Sequence, residues 1–206
     1  GEKVFALHHV TDVLLKLDLA LARSRYGSWL GGVPAEMKSD PNAPFSFRNL
    51  RHPLLLWQYR DAEEKDVIPI NIDVSSSLRV VAITGPNTGG KTVTLKSIGL
   101  ATLMARAGLL LPCSDSPSLP WVDQVLADIG DEQSLQQNLS TFSGHVKRIG
   151  RILNALDGNL SRSLILLDEI GAGTDPSEGT ALAMALLSTL ADRARLTIAT
   201  THLGEL

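Results

Sequence analysis

Residues 85 to 92 read Gly85-Pro86-Asn87-Thr88-Gly89-Gly90-Lys91-Thr92, directly after the apolar run Leu78-Arg79-Val80-Val81-Ala82-Ile83-Thr84. A G-x-x-x-x-G-K-[ST] segment set between a strand and a helix permits few folds. Its glycines let successive backbone N–H groups turn inward around an anion, and the helix behind adds the positive end of its dipole. In such a loop Lys91 reaches the β and γ phosphates and Thr92 offers a hydroxyl to magnesium. A glycine-rich turn that binds nothing needs neither a strand before it nor a helix after it, and this sequence supplies both. The loop therefore implies a nucleoside triphosphate, held by Gly85, Pro86, Asn87, Thr88, Gly89, Gly90, Lys91 and Thr92 with Val93 behind them.

Composition narrows the setting. A chain of 206 residues holds one sizeable domain plus an appendage, and 44% hydrophobic with 20% charged residues is ordinary for a globular enzyme core. A surface built to neutralise many phosphates is normally basic, whereas the formal net charge here is −3. If nucleic acid is a partner, this segment does not carry most of the contact. The single cysteine, Cys113, forms no internal disulfide and offers no metal-ligand cluster, which favours a reducing, cytoplasmic location. No run approaches the roughly 18 to 20 apolar residues of a membrane span, and a signal-peptide pattern is lacking. Gly1 opening straight into a helical pattern is expected of a fragment.

Leu7, Val10, Leu14, Leu17 and Leu21 step by three and four, a heptad-like seam that fits either a short coiled coil or a helix packed on the core. Gly27, Gly31, Gly32, Pro34, Pro41 and Pro44 break the pattern, so 27–44 reads as a surface connector. The polar stretch 60–66 reads as a solvated loop between short strands. Beyond residue 67 strand-like runs (78–84, 109–112, 122–129, 163–167, 196–201) alternate with helix-like ones (92–107, 141–156, 177–192). The expectation is a layered α/β domain whose ligand sits at the carboxyl ends of its strands.

Leu164-Ile165-Leu166-Leu167-Asp168-Glu169 is a strand buried on both faces that ends in two acids, the Walker B pattern. Asp168 is placed to hold magnesium and Glu169 to orient or deprotonate the attacking water. Side chains alternate along a strand, so the two carboxylates diverge unless the strand has ended between them. Asp168-Glu169-Ile170-Gly171 also satisfies the D-x-x-G pattern of GTPases, but no Asn-Lys-x-Asp guanine-reading segment follows, which favours adenine. These two motifs alone leave RecA-like motors open.

Leu139-Ser140-Thr141-Phe142-Ser143-Gly144-His145, Gly171-Ala172-Gly173-Thr174-Asp175-Pro176 and Thr200-Thr201-His202, taken with the phosphate loop, resemble the ATPase domain of the MutS family over roughly residues 45 to 206. Thr88, Val93-Thr94-Leu95-Lys96, Ser143 and Thr174-Asp175-Pro176 are similar to the MutS-two branch, whose members suppress recombination or act on stalled ribosomes. The resemblance implies an ABC-type P-loop ATPase that works as a homodimer with composite sites, using ATP and Mg2+. Ser140, Thr141 and Phe142 of one subunit would face the γ-phosphate held by the other, although a Ser or Thr at a helix start is ordinarily just a cap. It also implies that His202 senses the γ-phosphate, that Asp131, Glu132 and Gln133 couple the nucleotide to the rest of the molecule, and that Asp175 belongs to an inter-subunit loop. Val67 and Ile68 stand where the family brings side chains against adenine. Arg51-His52-Pro53 matches a signature near the domain start.

On this resemblance residues 1–44 are a helical connector at the end of a lever region, and 45–206 are an ATPase domain incomplete at its C-terminal end. Branched-DNA, ribosome and nuclease functions would belong to other parts of a parent protein, with no membrane involved. Two functions remain open at this level: an ATP-hydrolysing motor with Glu169 as base and Lys91 and His202 assisting, and a nucleotide-dependent dimerisation scaffold with little hydrolysis.

Overall fold

The computed structural model describes residues 2–62, 66–86, 89–130, 138–156, 158 and 160–202; of residues 2, 3 and 138–142 it describes the backbone alone. Helix α1 (Glu2–Leu30) is followed by β1 (Glu36–Lys38), β2 (Phe45–Leu50), α2 (Pro53–Gln58), β3 (Ile70–Val74) and β4 (Val80–Thr84). Then come α3 (Lys91–Arg106), β5 (Ser118–Pro120), β6 (Gln124–Asp128), α4 (Asn138–Ala155), β7 (Ser161–Leu167), α5 (Pro176–Arg193) and β8 (Ala194–Thr201).

The strands form two four-stranded sheets, in the orders β1-β5-β2-β3 and β4-β8-β7-β6. All pairings in the second are parallel. Its strands are the ones whose apolar runs are visible in sequence, because a parallel strand covered on both faces reads as an unbroken hydrophobic stretch. Along β7, Leu164 and Leu166 join one buried cluster with Leu95, Ile98 and Ala101 of α3, while Ile165 and Leu167 join another with Ile152 of α4 and Leu186 and Leu190 of α5. The first cluster also takes in Phe45, Phe47, Leu50 and Val74, so α3 is packed by side chains from both sheets.

Three expectations are corrected. The run 109–112 is not a strand: Leu111 makes only an isolated bridge to Val33 before Pro112, which has no N–H to extend a ladder. The stretch 27–44 is not simply a connector, since β1 pairs with β5 and Val33, Ala35 and Met37 pack against the main cluster. The polar residues from Arg60 follow helix α2 rather than a strand. As for α1, Leu7, Val10, Leu14, Leu17 and Leu21 are all exposed, as are Val4, Phe5, Val13, Leu15 and Leu19, so its first five turns do not pack on the core. The helix is anchored at its end, where Tyr26 and Leu30 meet the core and Gly27 lies so close to Leu110 that a Cβ there would stand 2.4 Å from that side chain.

Candidate functional site

At the carboxyl end of β4 the chain enters the glycine loop. Gly85 (φ 137°) and Gly90 (φ 74°) adopt backbone conformations that L side chains rarely take, and among the described residues, chain neighbours aside, no atom lies within 4 Å of where a Cβ would stand on either. Among the described residues these glycines are required by conformation and not by crowding. The Gly89 N–H donates to the Pro86 carbonyl at 3.0 Å, and Gly90 opens α3, which begins at Lys91 itself. Lys91 is buried, and its Nζ donates to the Gly85 carbonyl across the loop. Thr92 is half-buried in the first turn of α3, and Val93 is exposed. Asn87 and Thr88 lie outside the described residues.

The acids stand two strands away. β7 ends at Leu167, so the strand is over before Asp168 and Glu169, and the alternation that would send them to opposite faces does not apply. Asp168 is buried; its N–H donates to the Asp128 carbonyl at 2.8 Å, and its Oδ1 accepts from Thr200 Oγ1 at 2.5 Å. Glu169 takes a left-handed φ of 52°, a conformation that costs a non-glycine residue about 1–3 kcal/mol and persists only where neighbours enforce it. Two hydrogen bonds do so: Glu169 N–H to Thr200 Oγ1 at 2.8 Å and Ile170 N–H to the Thr200 carbonyl at 3.0 Å. The turn brings Glu169 Oε1 within 3.3 Å of His202 Nε2.

Strand β8 joins the two ends. Thr84, the last residue before the loop, pairs with Thr201, and Leu167, the last before the acids, pairs with Ala199. His202, directly after β8, therefore sits between loop and acids, at the carboxyl ends of parallel strands where α/β sheets bind ligands.

A cavity of about 410 Å³ beside the loop is lined by Val67, Ile68, Gly89, Gly90 and Val93, and also by His52, Leu55 and Tyr59. Val67 is buried and its carbonyl accepts from Arg51 Nε at 3.2 Å, so the Arg-His-Pro segment shapes this wall. Burial, reinforced by the Lys96 charge, lowers the His52 pKa below its ordinary value. Leu55 and Tyr59 carry no motif that sequence reasoning could use; they arrive through α2.

The signature residues Ser140, Thr141 and Phe142 fall inside α4, which begins at Asn138 and not at 141, so Ser140 and Thr141 are not its caps. Residues Asp131, Glu132 and Gln133 lie outside the described residues. Lower on α4, His145 Nδ1 lies 2.7 Å from Asp128 Oδ2, and Arg148 Nε donates to Oδ1 of the same buried carboxylate. Asp128 thus ties α4 to β6 with its side chain and to Asp168 with its carbonyl; as a lone acid ending an apolar run, it carries a weak sequence signal. Asp175 caps α5, accepting from Ser177 N–H at 2.9 Å and Ser177 Oγ at 2.6 Å, and the Ser177 hydroxyl and the amides of Ser177 and Glu178 hold its pKa below the usual carboxylate value. Gly179 in that helix lies on the Gly171 carbonyl, where a Cβ would come within 2.3 Å.

A glycine loop, two acids and a histidine gathered at one edge of a parallel sheet are the arrangement of a P-loop-type α/β nucleotide-binding domain. Residues 81–206 match the family described as MutS domain V. The chain is 52% identical to an Endonuclease MutS2 of Synechocystis over its full length, 47% to one of Finegoldia magna over 95% of the chain, and 43% to one of Clostridium novyi over its full length. It spans about a quarter of those relatives, 27%, 23% and 25% of their lengths. The chain belongs to the MutS domain V family, on its MutS2 branch. Domain V is the ATPase domain of MutS proteins.

Proposed function

We propose that residues 45–206 of this chain bind and hydrolyse ATP as the ATPase domain of a MutS2-like protein, and do so as a homodimer with shared sites. The observation that carries the proposal is the placement of Asp168, Glu169 and His202 around the end of β8, one strand from the phosphate loop. Lys91 and the loop amides would hold the phosphates, and the cavity beside Val67 and Ile68 has a size and an apolar lining that suit adenine. Glu169 would take the proton of the attacking water as a new O–P bond forms at the γ-phosphorus and the bond to ADP breaks. His202, hydrogen-bonded to Glu169, would hold that carboxylate in place and answer to the γ-phosphate.

Thr92 and Asp168 are oxygen donors of the kind magnesium prefers, and among the described residues Asp168 has only Oδ1 engaged by a neighbouring side chain. Magnesium, when bound, neutralises charge on the phosphates. Ser140, Thr141 and Phe142 would complete the site of a second subunit, with Asp131, Glu132, Gln133 and Asp175 coupling the sites. The relatives are named endonucleases; cleavage and any contact with branched DNA or the ribosome would belong to other parts of the parent, in keeping with a net charge of −3 on this chain.

Turnover measured against protein concentration tests the shared site. A trans-acting charge-stabilising group is worth ~10³ to 10⁵ in other phosphoryl-transfer systems, so the rate per subunit is expected to rise steeply through the dimerisation range. A rate per subunit that stays flat through that range would remove the shared site, and ATP-dependent dimerisation with scarcely any turnover would favour a nucleotide-dependent dimerisation scaffold instead.

A further inference from the structure

We propose that Thr200 is a positioning residue for hydrolysis, whose single hydroxyl sets the two acids relative to each other. The inference rests on the hydrolytic function proposed above. Thr200 is fully buried on β8, between the strand that leads into the phosphate loop and the strand that leads into the acids. A hydroxyl has one proton and two lone pairs. The Glu169 N–H can only donate, so Thr200 Oγ1 accepts it at 2.8 Å, and the hydroxyl proton is left for Asp168 Oδ1 at 2.5 Å. One oxygen therefore fixes a carboxylate on one residue and the backbone of the next.

The consequence for Glu169 is conformational. The bonds from Glu169 N–H to Oγ1 and from Ile170 N–H to the Thr200 carbonyl enclose the residue with φ 52°. It is this turn that places the Glu169 carboxylate 3.3 Å from His202 instead of on the far face of the sheet. A threonine also suits a strand because it is β-branched, which is reason enough for its type without any catalytic part. Thr197 supplies the contrast: it is on the same strand, equally buried, and among the described residues its hydroxyl has no hydrogen-bond partner.

The test compares the whole chain, at a concentration where the unsubstituted protein turns over, with Thr200→Val, Thr200→Ser, Thr197→Val and Glu169→Gln. Steady-state kcat and KM for ATP are measured, with calorimetric binding of a non-hydrolysable ATP analogue. Thr200→Val keeps the β-branch and loses the hydroxyl, so kcat is expected to fall by at least about tenfold with analogue affinity within about threefold, the pattern of a lost transition-state contribution. Thr200→Ser is expected to recover most of the rate and Thr197→Val to keep it. If Thr200→Val does not fold, Thr200→Ala takes its place with the same expectation. An unchanged kcat in the valine variant, an equal loss in Thr197→Val, or no recovery by serine overturns the inference. Turnover that Glu169→Gln abolishes while Thr200→Val leaves it intact removes the role of Thr200 alone. No turnover in the unsubstituted protein at any concentration removes the hydrolytic function, and the inference with it.

Discussion

The two ends of the site are built on opposite plans. The phosphate loop is local: strand, glycines, lysine and helix follow one another within residues 80–106, and the Lys91 contact to Gly85 spans six positions. The acid corner is non-local: Asp168 and Glu169 are held by Thr200 and His202, 31 to 33 positions away, and by the Asp128 carbonyl on a third strand. A local device tolerates disturbance elsewhere in the sheet, whereas an assembled one depends on the register of β6, β7 and β8. Affinity should therefore answer to the loop and turnover to the corner.

The sharpest separation is expected from Glu169→Gln, which keeps the shape of the side chain and removes the base. Turnover should drop ~10² to 10⁴-fold while nucleotide affinity stays within a small factor. Lys91→Ala should do the reverse first: losing charge-assisted contacts to phosphate weakens ATP binding by roughly 10- to 100-fold, on the scale of hydrogen bonds to charged groups. Equal damage to both quantities in both variants would erase the distinction between the ends.

Arg148→Ala probes the register of the corner. Among the described residues it leaves the buried Asp128 carboxylate with His145, and because Arg148 is 43% exposed the expected loss is about 1–2 kcal/mol, below that of a fully buried pair. Denaturant titration checks it; no change would mean that α4 is held without this contact. The smallest effect belongs to Asp175, a fully exposed cap. Its folded-state pKa is depressed, so its contribution is present above the unfolded value and disappears as pH falls through the folded one. The Tm difference between the unsubstituted chain and Asp175→Ala is thus expected at neutral pH and lost in acid. A difference that persists well below the carboxylate range would mean that something other than the ionised cap acts there.

What could be seen in advance follows the same division. The loop, the β7 acids and the parallel strands were legible because each is a contiguous pattern with a known period. The first sheet was not. β1 and β5 have three residues each, too few for alternation to register, and β2 is interrupted by Asn49 at φ 51°. Arg195, buried with its guanidinium donating to the backbone carbonyls of Pro41, Asn42, Ala43 and Leu78 and lying over the Phe45 ring, ties that region to β8 across more than a hundred positions and has no sequence signature. Thr200 stands in the quoted segment Thr200-Thr201-His202, but its part is not legible there for a related reason: a threonine in a strand is ordinary until its partners are known. Leu55 and Tyr59 reach the cavity only through the packing of α2.

The most direct test of the division between loop and corner measures two quantities, equilibrium ATP affinity and single-turnover hydrolysis rate, on Lys91→Ala and Glu169→Gln prepared alongside the unsubstituted chain. The expected result is crossed: affinity falls in the first and holds in the second, while the second, saturated with ATP, scarcely hydrolyses it. A Glu169→Gln protein that hydrolyses bound ATP at the unsubstituted rate, or a Lys91→Ala protein that binds it as tightly, would contradict the assignment of the site.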